Sequence, residues 1–175
     1  RMQTRCVTAS EDMAVCRVMR AANAPGLRTR EQLRLFREGG GRVSVTHDAQ
    51  GKIWALVFYR IIDEWGGAAM ERSVYCEAVV FQDATCETWD EVSQSIRFFL
   101  RSLLIVTRCT RVIMTVQQPT QEYQQQLRTI GFLCAPVNEI CNCCVMMVFS
   151  HQYAHVGGVI IERILEGNAA TYGEC

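Results

Sequence analysis

The pattern of apolar residues predicts a mixed α/β (α+β) domain. Short β-type apolar runs alternate with amphipathic helical stretches along the chain. A hairpin signal, with Gly51 in its turn, lies in the first half. Beyond it, a buried strand leads directly into the longest amphipathic helix. Together these observations favour a sheet with helices packed on it over an all-helical or an all-β protein.

The first half of the chain is predicted to contain a strand, two helices, a hairpin and a loop. These elements cover residues 6–9, 11–22, 29–38, 43–62 and 63–72. The run Gly39-Gly40-Gly41 is typical of a helix C-terminus followed by a turn. The strand–helix order of a phosphate-binding loop is missing around these glycines, so they do not indicate such a loop.

The stretch from Ser73 to Thr107 is the centre of the sequence. Its strand carries one carboxylate, Glu77, and its helix has an apolar stripe on one side. The free N–H groups at such a strand–helix turn bind phosphate groups in many proteins. The later elements are predicted at 111–116, 119–129, 133–137, 141–149 and 156–165. We expect one domain over residues 1–150, with the helix and tail of residues 151–175 packed on it.

Composition excludes several classes of protein. The chain has 175 residues and a formal net charge of zero. A neutral chain of this size has no general attraction to nucleic acid or to a membrane surface, and no apolar run reaches the ~18 residues of a membrane span. We therefore expect no direct nucleic-acid or membrane partner. Because the chain starts at Arg1, we expect it to be part of a larger protein or complex.

The ten cysteines are expected to be reduced thiols in an intracellular protein, because many lie inside apolar patterns. A zinc site is not predicted. Cys141, Cys143 and Cys144 lie near His151 and His155, but no CxxC pair is present. Alternation along a strand also places Cys144 on the face opposite to the other two.

The element order resembles the GNAT superfamily of acetyl-CoA-dependent N-acetyltransferases. The segment TRCVTASEDMAVCRVMRAAN is similar to the family's opening strand and helix, and HDAQGKIWALVFY to its second and third strands. The segment QQQLRTIGF is similar to the helix and Gly-Phe that close its shared half. The resemblance spans most of residues 5–149. It implies a mixed, mostly antiparallel central sheet flanked by helices, with acetyl-CoA as co-substrate.

The segment from Glu77 to Phe81 resembles more specifically the fourth strand of the histone- and lysine-acetylating branch, in which a Glu is the general base. A lysine ammonium must lose a proton before its nitrogen can attack a thioester, and a carboxylate in an apolar wall can accept that proton. The resemblance thus implies that Glu77 is catalytic. On the residues alone, Glu77 can equally face solvent or form an ion pair with one of the many arginines.

The same resemblance implies a cofactor-binding segment after Glu77. Its residues are Val79, Val80, Phe81, Gln82, Trp89, Asp90, Glu91, Val92 and Ser93. The family's glycine-containing pyrophosphate loop is degenerate here, because the matching positions from Glu87 to Ser93 contain neither Gly nor Arg. Thr88 and Glu91 instead have the spacing of a capping box. Carboxylates at this place oppose a pyrophosphate by on the order of 1 kcal/mol each.

Two other chemistries are not supported by the sequence. The family's frequent general-acid Tyr falls on Leu127. Cys76 and Cys109 have no His in their sequence context, so a cysteine nucleophile is not predicted.

The leading hypothesis is an N-acetyltransferase that acts on a lysine of a protein with a basic tail, such as a histone. Asp63, Glu64 and Glu71 either receive that tail or belong to a solvated loop. A histone substrate favours the nucleus over the cytoplasm. The alternative is a catalytically inactive protein-binding module or structural scaffold. Residues 73–149 also resemble ornithine decarboxylase antizyme, which shares the fold, lacks the glycine loop and catalyses nothing.

Overall fold

A computed structural model describes residues 1–24, 26–66, 69–82, 86–117, 119–135 and 144–150. The helices are α1 (Asp12–Ala21), α2 (Arg30–Glu38), α3 (Cys86–Thr107) and α4 (Gln121–Ile130), with a 3-10 turn at Ala9–Glu11. The strands are β1 (Gln3–Cys6), β2 (Arg42–His47), β3 (Ile53–Gly66), β4 (Ala69–Phe81), β5 (Arg111–Gln117), β6 (Leu133–Ala135) and β7 (Cys144–Ser150).

The strands form a seven-stranded, mostly antiparallel sheet. Their order across the sheet is β1-β2-β3-β4-β5-β7-β6. The β1–β2, β2–β3, β5–β7 and β6–β7 pairs are antiparallel. Both the predicted fold class and the mostly antiparallel sheet are therefore confirmed.

The chain divides into two compact units. The first contains Arg1–Ile61 and Cys76–Phe99, and the second contains Ile62–Tyr75 and Leu100–Cys175. In the first unit, α1 and α2 bury their apolar sides in a core that includes residues of β2, β3 and β4. The helical members of that core are Val15, Cys16, Val18, Met19, Leu33 and Phe36.

The turn after α2 fixes the ring of Phe36. The amide of Gly41 donates to the Phe36 carbonyl at 2.8 Å. A Cβ at Gly41 would lie only 2.4 Å from the Phe36 ring, so no larger residue fits there without displacing it. The ring also makes an edge contact with Phe58 of β3, at 6.0 Å between centroids. The prediction that the three glycines form a C-cap and turn is confirmed.

A buried ion pair connects α1, α2 and the segment after β1. Arg37 Nη2 lies 2.8 Å from Asp12 Oδ1, and its Nη1 donates to the Val7 carbonyl at 3.1 Å. The Asp12 side chain is only 7% exposed. A carboxylate so far from water requires its cation, because an unpaired buried charge is costly.

The second unit contains the predicted Gly-Phe ending of α4. Gly131 caps the helix at φ 126°, a conformation that favours glycine. Phe132 is fully buried, with its ring centroid 5.7 Å from that of Phe149 on β7. The Gly-Phe pair therefore ends the helix and anchors the return of the chain to the sheet.

Three predicted boundaries are wrong. The first strand was expected at residues 6–9, but β1 spans Gln3–Cys6. Residues 63–72 were expected to be a loop, but β3 continues to Gly66 and β4 begins at Ala69. An ion pair between Arg72 Nε and Asp63 Oδ1, at 2.8 Å, joins these two strand extensions. Thr88 is not an N-cap, because α3 already begins at Cys86. The helix predicted at 156–165 lies outside the described residues.

The cysteines do not all match the expectation of free thiols. Cys6, Cys16, Cys76, Cys109 and Cys144 are free. Cys134 is disulfide-bonded. The prediction is therefore wrong for Cys134.

Replacing Arg37 by Met should destabilise the protein by about 3 kcal/mol, because it leaves the Asp12 carboxylate buried without a cation. Urea unfolding measures this loss. Arg34→Met is the matched control, since Arg34 pairs with Glu31 and Glu38 on the exposed side of the same helix. The control should leave the free energy of unfolding nearly unchanged. Equal effects of the two substitutions would contradict the assigned role of the buried pair.

Candidate active site

Glu77 lies on β4 beside the guanidinium of Arg60. Its Oε1 atom is 3.3 Å from Nε of Arg60 on β3, and its side chain remains 35% exposed. Both alternatives left open by the residues therefore apply in part: the carboxylate is partly exposed, and it contacts an arginine. Its catalytic role stays a prediction.

The strand around Glu77 departs from strict alternation. Ala78 packs against the core that contains Phe36 and Phe58. Glu77 contacts Arg60, whose guanidinium lies over the Phe36 ring. Two consecutive residues of β4 thus reach the side of the sheet that α2 covers.

The predicted cofactor-binding residues of β4 present mainly backbone and apolar surface. Val79 and Val80 are buried. The Gln82 amide donates to the Trp54 carbonyl of β3 at 2.9 Å, so that N–H group is already used. Because N–H directions alternate along a strand, the amides of Val79 and Phe81 point to the opposite edge of β4.

Phe81 and Trp89 connect the end of β4 to the start of α3. Their rings make an edge contact at 4.9 Å between centroids. Each side chain is partly exposed. The indole of Trp89 therefore forms part of the surface at the strand–helix junction.

The first turns of α3 divide the remaining predicted residues into two groups. Val92 and Ser93 are buried, and Ser93 Oγ donates to the Asp90 carbonyl at 3.0 Å within the helix. Asp90 and Glu91 are exposed, as is Glu87. The structure therefore brings carboxylates, and not cations, to the solvent side of this helix start.

This charge distribution does not fit a pyrophosphate. The N-terminus of a helix attracts anions through its free N–H groups, but exposed carboxylates in the same turns repel them. Arg97 is the first arginine of α3 and lies roughly three turns along the helix. The degenerate loop inferred from the sequence thus coincides with an acidic surface.

A cleft that sequence reasoning missed lies beside the start of α3. It measures ≈ 600 Å³ and is lined by Arg1, Met2, Gln3, Thr4, Glu91, Gln94, Ser95 and Phe98. Thr4 Oγ1 and Ser95 Oγ are hydrogen-bonded at 2.8 Å, which joins β1 to α3 at the cleft. Glu91 of α3 lines this cleft together with residues of the N-terminal strand. Because the cleft forms between segments distant in sequence, the sequence alone does not predict it.

The structure gives little support to a cysteine nucleophile, a general acid at residue 127 or an acidic patch. Burial raises the pKa of the Cys76 thiol to about 12, so it stays protonated near neutral pH and is a poor nucleophile. Leu127, which occupies the family's acid position, is fully buried. Asp63 is engaged by Arg72, so the predicted acidic patch is partly neutralised. Over the described parts of the chain, no group of His, Cys, Asp and Glu is arranged to hold a metal ion.

No family model matches the sequence, and no curated protein is detectably similar to it. The fold, however, is similar to several solved N-acetyltransferase structures. One is the ribosomal-protein-S5-alanine acetyltransferase from Vibrio fischeri, with 11% identity over 86% of this chain and 93% of that chain, at a TM-score of 0.62.

Two further similar structures are of spermidine N-acetyltransferase. A chimera of the Vibrio cholerae enzyme and hSSAT has 14% identity over 88% of this chain and 98% of that chain, at a TM-score of 0.63. The dodecameric Vibrio cholerae enzyme has 13% identity over 89% of this chain and 96% of that chain, at a TM-score of 0.60. At these identities the similarity establishes the N-acetyltransferase fold alone.

Within the described residues, no helix is both long and apolar enough to cross a membrane.

Proposed function

We propose that this protein transfers an acetyl group from acetyl-CoA to a primary amine, with Glu77 as the general base. The observation that carries the proposal is the position of Glu77. It is a partly exposed carboxylate on β4, next to the buried Cys76 and Val79, in a fold shared with N-acetyltransferases.

Glu77 has one chemical task in this proposal. It accepts a proton from the ammonium of the acceptor, which gives the nitrogen a free electron pair. Acetyl-CoA supplies the acetyl group as a thioester. The new C–N bond forms as the C–S bond breaks, and the leaving sulfur keeps the bonding electrons. The products are the acetylated amine, the CoA thiol and one proton. Leu127 has no proton to donate to that sulfur, so solvent supplies it.

The two halves of the donor-binding segment differ in how well they suit acetyl-CoA. The extended, apolar end of β4 suits a pantetheine arm, which needs backbone hydrogen bonds and an apolar surface. The acidic start of α3 does not suit the pyrophosphate. We infer that affinity for the donor comes mainly from the pantetheine and acetyl end.

For the acceptor, we propose a lysine on a protein with a basic tail, with a histone tail in the nucleus as one version. Glu77 and its surroundings support amine acceptors in general. The name of one similar structure specifies a ribosomal protein and the names of two others specify spermidine, so protein and polyamine amines both belong in an assay.

Acetyl-CoA should stabilise the folded protein. A ligand that binds only the folded state raises the free energy of unfolding by roughly 2.7 kcal/mol at a hundred times its dissociation constant. Thermal unfolding with increasing acetyl-CoA measures this. No change in the unfolding midpoint at any concentration would contradict the proposal and favour the inactive binding module.

A charge variant makes the binding test specific to α3. Asp90→Asn combined with Glu91→Gln should tighten acetyl-CoA binding severalfold, because two repelling charges are removed. Binding of acetyl-pantetheine, which lacks the pyrophosphate, should not change. Glu31→Gln on α2 is the control. Equal changes in affinity for acetyl-CoA and for acetyl-pantetheine would show that the start of α3 does not contact the pyrophosphate.

Replacing Glu77 by Gln should lower the rate of acetyl transfer roughly hundredfold, since an amide cannot accept the proton. The acetyl-CoA-induced stabilisation should persist, because the substituted group does not bind the donor. The assay follows release of the CoA thiol with a lysine peptide and with spermidine. If the variant kept full turnover across the accessible pH range, Glu77 would not be the base.

The alternative function is a protein-binding module without catalysis. Two observations favour it: the carboxylates at the start of α3 and the contact between Glu77 and Arg60. It predicts neither stabilisation by acetyl-CoA nor acetyl transfer, so the same two experiments separate it from the enzyme.

A further inference from the structure

Arg60 has no part in the acetyl transfer described above, yet it is the cation next to Glu77. Its Nε–Oε1 distance of 3.3 Å is longer than the 2.7 Å of the Arg5–Glu11 pair and the 2.8 Å of the Arg37–Asp12 pair. The buried Nε atom of Arg60 also makes no hydrogen bond within the described structure. Arg60 and Glu77 therefore form an ion pair in which Nε donates no hydrogen bond.

The Arg5–Glu11 pair, by comparison, is fully hydrogen-bonded. Both carboxylate oxygens of Glu11 accept hydrogen bonds from the Arg5 guanidinium, at 2.7 and 3.1 Å. At Glu77, the closest approach to Arg60 is the 3.3 Å between Oε1 and Nε. The Glu77 carboxylate thus lies beside the guanidinium without a hydrogen bond from its Nε atom.

The guanidinium of Arg60 is held mainly by other groups. Its central carbon lies 4.9 Å from the centroid of the Phe36 ring, which is a cation–π contact. Its Nη1 atom is 3.6 Å from the position of a Cβ on Gly39, the C-cap of α2. The carbonyl end of a helix attracts a cation. The α2 terminus and Phe36 therefore orient Arg60 whether or not Glu77 is present.

Phe36 is itself fixed by the Gly41 backbone and by Phe58. A chain of contacts thus runs from the α2–β2 turn through Phe36 and Arg60 to the carboxylate of Glu77. A glutamate side chain has three rotatable bonds, and a fixed neighbouring charge limits the positions it samples. Displacing a reacting group by about 1 Å can cost up to a hundredfold in rate.

We propose that Arg60 is a positioning residue that holds the Glu77 carboxylate where it accepts the amine proton, while Phe36 and the C-terminus of α2 hold Arg60. This role rests on the proposed function, because it acts only through Glu77. It assigns a specific task to the turn after α2, which otherwise serves packing alone.

The test is a double-mutant cycle on the rate of acetyl transfer. Arg60→Met removes the charge and keeps an apolar stem over Phe36, and it should lower kcat roughly tenfold with little change in KM for the amine. Arg60→Lys should recover part of this loss, because it returns the charge without the planar face. In a Glu77→Gln background, Arg60→Met should have no further effect.

The controls separate positioning from folding and from donor binding. Arg34→Met removes an exposed arginine of α2 and should leave kcat unchanged. Thermal unfolding of each variant, with and without acetyl-CoA, should show a folded protein that responds to the donor as before. If kcat falls only in proportion to the fraction of folded protein, the positioning role is wrong.

The remaining outcomes distinguish the two proposals. If Glu77→Gln is inactive but Arg60→Met is fully active, or if Arg60→Met lowers the rate equally in both backgrounds, the positioning role is wrong and the proposed function stands. If Glu77→Gln keeps full activity, or if the unmodified protein transfers no acetyl group, the proposed function is wrong and the role of Arg60 falls with it.

Discussion

The ring of Phe36 is the contact on which the first unit most depends. It is buried against Phe58, it is covered by the backbone of Gly41, and it carries the guanidinium of Arg60 on its face. The same ring therefore contributes to the core of the unit and to the surroundings of Glu77. A packed aromatic ring tolerates little displacement, so a change in the α2–β2 turn is transmitted to the carboxylate.

The stretch from Ser73 to Thr107 combines two opposite electrostatic environments. At Glu77, a carboxylate lies beside the cation of Arg60 and remains partly exposed on an apolar strand. At the start of α3, exposed carboxylates surround a helix terminus that would otherwise attract phosphate. The start of α3 thus lacks the cations that usually bind a phosphate group at a helix N-terminus. This contrast makes donor binding, and not the fold, the question on which function depends.

The fold could be predicted from the sequence because its strands and helices have clear apolar periods and the glycine turns end them where expected. The boundaries near Asp63 and Arg72 could not be predicted, because the polar residues there are typical of a loop. Only the pairing of the two strands makes them part of the sheet. Thr88 has the spacing of a cap, but α3 already begins at Cys86, so Thr88 lies inside the helix.

The candidate site could be predicted only in part. The sequence indicated Glu77 and left open which of many arginines it meets. Identifying Arg60 requires the relative register of β3 and β4, which no local pattern encodes. The cleft beside β1 depends likewise on contacts between residues distant in sequence.

Amide hydrogen exchange with and without acetyl-CoA tests most directly whether the end of β4 and the start of α3 bind the donor. The account predicts slower exchange for peptides that cover Val79 to Gln82, a smaller change at the start of α3, and no change in α1. Unchanged exchange in β4 at saturating acetyl-CoA, or slower exchange confined to α1, would contradict it.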